Sequence, residues 1–411
     1  MKSVNTEIAL THILARKRQT LVASMGVAVG IAIYICLNTL IIGTNRYSDN
    51  AIFKTTPHIR VYKDDQISQP LSKDTSQKTG TIVIVNPKIS NISKNLINPV
   101  KLVNDIKNKP EVTAATPMVT ANIFYNNGKS QLTGVGWGIN IIEADEMFDI
   151  QSTWVDGNMR TLLNTPNGII LGVGIADKLS LKMNDNVSII SSIGVIKLMK
   201  VVGLFKTSNS VTDKSKSYMN LAAAQQLLGE GPNYVTDIYV EIKNPETAPQ
   251  YASVISDLTG YTTEDWKSAN ELFVAGKKIR AVMFLFISWA ILLVAAFGIY
   301  NILNMTVSQK LNDIAILKAN GFSGKDVVRI FVMEAMIMGI IGTTIGFLLA
   351  AIIVNLLSRI YIGADLGYFP IQFELSVSLT GLGVGMLVTF LAGYVPARKA
   401  ARVDPVAIFR K

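Results

Sequence analysis

The sequence predicts an α-helical membrane protein: four transmembrane helices, with a large α+β extracytoplasmic domain inserted between helices 1 and 2. Three observations predict it. Four apolar runs, near 21–42, 281–305, 330–357 and 375–395, carry one charged residue between them, Glu334, and each can cross roughly 30 Å of hydrocarbon. Residues 45–275, by contrast, mix polar residues with short runs of β-forming residues. Lysines and arginines gather immediately beside the apolar runs, as they do in loops held on the cytoplasmic side.

Composition agrees. Hydrophobic residues make up 49% of the 411 and charged residues 17%, with a mean hydropathy of +0.34. The net charge of +10 invites a nucleic-acid reading. The placement of the bases beside the spans explains that excess as topology instead. Cys36 is the single cysteine, so the chain holds no internal disulfide and no cysteine metal cluster. His12 and His58 stand alone in the sequence, which argues against a histidine metal site.

Residues 1–18 read as an amphipathic helix on the cytoplasmic face. Val4, Ile8 and Leu14 recur at roughly helical spacing, and Arg16, Lys17 and Arg18 follow at headgroup level. A cleaved signal peptide is the competing reading. The 22 uncharged residues of 21–42 are too long for a signal core, and no small-x-small cleavage site follows. The first span is placed at 19–44. It holds a GxxxG pair, Gly26 and Gly30, repeated by Gly342/Gly346 and Gly381/Gly385 in the later spans, a spacing that lets helices approach closely.

The inserted domain is placed at 45–270. Ile59-Arg60-Val61-Tyr62, Thr81-Ile82-Val83-Ile84-Val85, Val187-Ser188-Ile189-Ile190 and Tyr239-Val240-Glu241-Ile242 read as strands. Asn126-Asn127-Gly128-Lys129 marks a hairpin. Helical pieces fall near 100–108, 174–181, 221–228 and 245–258, and 71–80 reads as an exposed loop. A division into two lobes falls near 100–110 or 205–215. No Gly or Pro break interrupts 266–306, so one helix is predicted to begin outside the membrane as a stalk and become the second span, placed at 271–306. The third span is 330–357, an outer loop 358–374, the fourth span 375–396, and a basic tail 397–411. Glu334, near the inner end of the third span, is a functional-site candidate by default. The sequence favours a carboxylate that snorkels to the interface.

Segment 307–329 joins the second and third spans. Leu311, Ile314 and Leu317 form an apolar stripe on a short helix at 308–319. Asn320-Gly321 stops it, and Ser323 with Asp326 has capping-box spacing for the next helix, which carries Lys325 and Arg329. Two readings stand open from spacing alone: a loop that reverses the chain, or a compact knuckle that passes force between a soluble partner and two membrane helices. Asp404-Pro405 can start a last short helix in the tail.

Catalytic constellations are missing. Gly321-Phe322-Ser323-Gly324-Lys325-Asp326 lacks the upstream glycine of a phosphate loop and has Asp where a magnesium-binding Ser or Thr belongs. Gly134-Val135-Gly136-Trp137-Gly138 and Gly172-Val173-Gly174 read as turns. There is no Gly-x-Ser-x-Gly elbow.

Three stretches carry a family resemblance. They are Ile8 to Gly30 through Arg16-Lys17-Arg18, Asp313-Ile314-Ala315-Ile316-Leu317-Lys318-Ala319-Asn320-Gly321-Phe322-Ser323, and Pro396-Ala397-Arg398-Lys399-Ala400-Ala401-Arg402-Val403-Asp404-Pro405-Val406. Ile169-Ile170-Leu171-Gly172, Ala176-Asp177-Lys178-Leu179 and Val201-Val202-Gly203 add the inserted domain. The chain resembles permease subunits of ABC transporters of the MacB, LolC/LolE and FtsX type.

The resemblance implies a non-catalytic membrane subunit of the bacterial inner membrane, with both termini cytoplasmic and the large domain periplasmic. Its implied partners are a cytoplasmic ABC ATPase, which would hold ATP and Mg, and a second permease copy in a homo- or heterodimer. A periplasmic adaptor or carrier and membrane lipids complete the set. No cofactor is implied on this chain. The knuckle becomes a coupling helix: Ile314 and Leu317 would seat in an ATPase groove, Asp313, Lys318 and Lys325 would form its rim, and Gly321 and Phe322 would complete the contact. Asn320 stands where the family has a small apolar residue. The implied work is mechanotransmission, in which ATPase cycles move the outer domain to export or extract a lipoprotein, lipid, peptide or drug. The alternative is an FtsX-like regulator that relays the motion to a cell-wall hydrolase.

Overall fold

The structure, a computed structural model, describes residues 4–15, 17–64, 94–207, 209–363 and 367–409. The expected strand at 81–85, the loop at 71–80, and Arg16, Arg410 and Lys411 lie outside the described residues. The chain divides into two compact units, Met1–Ser48 with Ala275–Lys411, and Asp49–Val274.

The first unit is a helix bundle. Among the described residues, four helices are long and apolar enough to cross a membrane: Lys17–Phe53, Glu271–Gln309, Gly324–Leu357 and Leu375–Ala401. Their shared core is made of Ala23, Val27, Ile31 and Ile35 from the first, Leu292, Ile299 and Leu303 from the second, and Ala335 and Met338 from the third. The fourth helix runs on through Pro396 to Ala401 instead of ending at the proline. The connection between the third and fourth holds a small hairpin, Tyr361–Gly363 with Gly367–Tyr368. Arg46 pairs with Glu374 at 2.8 Å beside it.

Two expectations about this unit are corrected, and the N-terminal helix, Val4–Ala15, shows which of its residues the chain covers. Ala9 and Ile13 are its buried residues, one turn apart, while Leu10 and Leu14 are exposed. Its buried face packs against the third long helix. Glu334 does not snorkel but is buried. The short knuckle helix begins at Leu311, not 308. The second long helix continues to Gln309, and Lys310, with φ −107° and ψ 19°, breaks the ladder. Likewise, the expected unbroken helix from 266 is interrupted. Asp265 caps a four-residue turn, Trp266–Ala269, and Asn270 at φ −123°, ψ 40° separates it from Glu271.

The second unit is built on one ten-stranded sheet. Its strands are β1 (Ile59–Tyr62), β2 (Val112–Asn127), β3 (Ser130–Ile139), β4 (Trp154–Gly157), β5 (Gly168–Gly172), β6 (Asn186–Ser191), β7 (Ile196–Phe205), β8 (Lys216–Asn220), β9 (Asp237–Ile242) and β10 (Thr262–Asp265). The order is β10-β1-β9-β2-β3-β8-β5-β7-β4, with β6 bridging β2 and β7. The predicted hairpin is present: Asn127 faces Ser130 across Gly128-Lys129, and Gly128 takes φ +62°. Neither expected division point cuts this sheet. The 16 residues of β2 pair with β9 at one end and with β3 and β6 at the other. Three cores thus share one strand: Ala115 with Ile59, Val61, Ile238, Val240 and Trp266 in one, Met118 with Ile139, Phe205 and Tyr218 in a second, and Ile123 and Tyr125 with Ile189 and Val201 in the third.

Gly134, Gly136 and Gly138, read from sequence as a turn, lie inside β3. A Cβ on Gly138 would come within 2.3 Å of the Ala224 Cβ, and one on Gly134 within 2.3 Å of the Ser215 carbonyl oxygen. They are glycines because neighbouring chain approaches too closely for a side chain.

Candidate functional site

The knuckle is assembled by local chemistry. Helix Leu311–Ala319 ends at Asn320, and Gly321 takes φ +92°, which L side chains rarely adopt. The Phe322 N–H then donates to the Leu317 carbonyl at 3.2 Å. Ser323 caps Gly324–Leu357 with a full capping box. Its hydroxyl accepts the Asp326 N–H, and the Asp326 carboxylate accepts the Ser323 N–H at 3.1 Å.

The seven contact residues expected from sequence do not share one surface. Ile314 is 2% exposed and sits in a cluster with Val307, Val327, Phe331, Ala397 and Ala400. Its side chain is therefore packed within the chain. Lys318 is also engaged. Its ammonium donates to the carbonyls of Ala401 at 3.1 Å and Val403 at 2.7 Å, closing the C-terminal end of the fourth helix, where a cation is favoured. Leu317 and Phe322 are half-buried. Asp313, Gly321 and Lys325 are exposed, with Asp313 3.7 Å from Lys310.

Ile316, which the apolar stripe did not include, is 48% exposed on the face opposite Ile314. Asn312 and Asn320 are exposed beside it. A signal was available: Leu311, Ile314 and Lys318 fall on one side at i, i+3, i+7, and Ile316 is the isoleucine left on the other. The stripe was legible; which side faces a partner was not. The terminal helix Pro405–Phe409, started by the Asp404 carboxylate accepting the Val406 N–H, packs against helix Leu311–Ala319.

Of the six packing glycines, five make close approaches. A Cβ on Gly30 would lie 3.1 Å from the Ala295 Cβ. On Gly342 it would lie 2.7 Å from the Ser24 carbonyl oxygen, and on Gly346 2.6 Å from that of Ala28. On Gly381 it would meet Ile35 at 3.0 Å, and on Gly385 Ile31 at 2.5 Å. Gly26 is the exception: a Cβ there would meet nothing within 4 Å among the described residues. Gly339 against Thr389 and Gly393 against Ala335 make equally close contacts outside any GxxxG pair.

One buried polar contact lies beside the knuckle cluster. His12 Nδ1 is 3.7 Å from Glu334 Oε2, and neither atom has a hydrogen-bond partner among the described residues. The His12 ring also stands 6.2 Å from that of Phe331.

Several titratable groups of the sheet unit are perturbed. Burial pushes the Glu241 carboxyl up to about 7 and lowers His58, whose Nδ1 accepts the Ile242 N–H at 3.1 Å. The Lys216 amine, buried against the Trp137 ring, is held well below the usual lysine range. Arg60 donates to the buried Asp237 carboxylate at 2.6 Å.

Two family models account for this division of the chain. Residues 20–258 match the MacB-like periplasmic core domain and residues 285–405 the FtsX-like permease C-terminal domain. The chain is an ABC transporter permease of the LolC and MacB type. The lipoprotein-releasing system transmembrane protein LolC of Neisseria meningitidis serogroup B is 23% identical to this permease over 443 residues, covering 100% of both chains. The macrolide export ATP-binding/permease protein MacB of a Shewanella species is 24% identical over 416 residues, covering 97% of the permease but 59% of that protein. Among solved structures, the periplasmic region of MacB from Actinobacillus actinomycetemcomitans aligns at 12% identity and a TM-score of 0.34, covering 54% of the permease and 94% of that chain.

Proposed function

We propose that this permease is the membrane subunit of an ATP-driven transporter that works by mechanotransmission. A separate cytoplasmic ATPase, which holds ATP and Mg, pushes on the 311–323 knuckle. The bundle passes that motion to the sheet domain outside the membrane, which exports or extracts an apolar or lipid-anchored envelope substrate. A second permease copy completes the assembly. The observation that carries the reading is the knuckle itself. It is tied to the second, third and fourth long helices through Ile314, Phe331, Ala397 and the Lys318 cap, while Asn312, Asp313, Ile316, Asn320 and Lys325 face outward. Such a piece moves three helices when its exposed face is pushed.

Orientation follows from charge. Lys17 and Arg18, Lys310 to Arg329, and Arg398, Lys399 and Arg402 flank the apolar runs. The contacts of the N-terminal helix with the third long helix and of the terminal helix with the knuckle support one shared cytoplasmic end. The full-length likeness to a lipoprotein-releasing protein supports a lipid-anchored cargo.

The test uses the full chain copurified with its ATPase and placed in lipid. Asp313→Lys with Ile316→Asp is expected to leave the permease folded and to abolish permease-stimulated ATP turnover. Full stimulation by that variant refutes the coupling role. An impermeant thiol reagent applied to Asn312→Cys in whole cells decides the orientation: labelling from outside the cell membrane reverses it.

A further inference from the structure

Glu334 has a role that mechanical coupling through the knuckle does not use. Its carboxylate is buried on the third long helix, 3.7 Å from the imidazole of His12 on the N-terminal helix. A buried carboxylate or a buried imidazole left without a partner is costly. A ring N–H is a donor and a carboxylate oxygen an acceptor, so each can be the other's partner. At 3.7 Å the two stand about 1 Å beyond a charge-assisted hydrogen bond, so a small slide of the N-terminal helix closes it.

The neighbourhood gives the pair its significance. One turn before Glu334 on the same helix is Phe331, which is 2% exposed, shares the knuckle cluster with Ile314 and has its ring 6.2 Å from that of His12. Ala9, 0% exposed, and Ile13, 8% exposed, complete the docked face of the N-terminal helix. Phe331 therefore belongs both to the knuckle cluster and to the surroundings of His12.

We propose that the N-terminal helix is a working part of the coupling foot, held on the third helix by a His12–Glu334 clasp, and that both residues are positioning residues for ATPase coupling. This rests on the coupling reading above and adds a third element to it.

The test exploits the difference between removing one partner and removing both. Leaving one buried polar group bare is costly, whereas replacing both by apolar groups is close to neutral. In a Cys36→Ser background, which frees the chain of its own thiol, Ala9→Cys reports docking by its rate of maleimide labelling. The full chain is used, without the ATPase. His12→Leu and Glu334→Leu are each expected to raise that rate about tenfold, and the double variant is expected to return within about twofold of the parent. Bulk packing alone predicts the opposite for the double variant, at least the sum of the single losses. The same three variants, with the ATPase present, are expected to lose, lose and regain stimulated turnover.

Single variants that label like the parent overturn the clasp, as does a double variant labelled more than either single. Released helices with undiminished turnover overturn the coupling role. The two readings fail separately: loss of turnover in His12→Leu and Glu334→Leu alongside full activity in the Asp313/Ile316 variant keeps the clasp and removes the knuckle face.

Discussion

Ile314 and Ile316 are two residues apart and chemically identical, yet the structure assigns them opposite consequences. Ile314→Ala removes three carbons from a site 2% exposed. At about 0.8 kcal/mol per buried methylene, the lost transfer energy is about 2.4 kcal/mol. The void adds to it, because Ala397 and Ala400 line the site and have no side chain to extend into it. The expected destabilisation is therefore about 2–4 kcal/mol. Ile316→Ala removes the same atoms from a site 48% exposed. It leaves no closed cavity, and a loss under about 1 kcal/mol is expected. The assay is reversible unfolding of the purified permease in detergent titrated with a denaturing surfactant, read alongside stimulated ATPase turnover. Ile314→Ala should lower the midpoint, while Ile316→Ala should hold the midpoint and lower turnover. Equal midpoint shifts in the two variants, or a loss below about 1 kcal/mol at Ile314, would show that the inward and outward faces of this helix have been assigned wrongly.

Two further outcomes follow from geometry described above. Gly346→Leu drives a side chain into the Ala28 carbonyl, 2.6 Å from the position of its first carbon; separation of the first and third helices by at least about 1–3 kcal/mol is expected, whereas Gly26→Leu, in open space, should be tolerated in the same unfolding assay. Glu241 keeps its proton in the folded chain up to about 7 but releases it near 4.5 when unfolded. Its contribution to stability is therefore fully present below about 4.5 and lost as pH rises towards 7. His58, lowered by burial, slopes the other way over the acid range, so the Glu241 effect is read as the difference between parent and Glu241→Gln across pH 4.5 to 7. A difference that does not change with pH rules out the buried acid.

The apolar runs and the N-G-K turn announced themselves because each depends on a local property, length of apolar chain or permitted φ. The capping box did too, since Ser323 and Asp326 need only each other. What stayed hidden depends on partners distant in sequence. His12 and Glu334 are 322 residues apart, and nothing in either neighbourhood marks the other. Gly134, Gly136 and Gly138 carry turn chemistry in isolation; only the approach of Ala224 and Ser215 makes them strand glycines. The knuckle helix was visible from its apolar stripe, but a stripe does not say whether it is covered by the same chain or by another. Lys318 looked like a rim charge because its acceptors, the carbonyls of Ala401 and Val403, belong to a helix end that sequence cannot bring alongside.

The long strand β2 has a mechanical consequence. At about 3.3 Å per residue its 16 residues run for roughly 50 Å. Because all three cores are built on it, none can swing without bending a hydrogen-bonded ribbon. The strand thus ties the cores of this unit to one another along the sheet. Inside the same unit the rings of Phe53 and Trp266 meet edge to face at 5.1 Å.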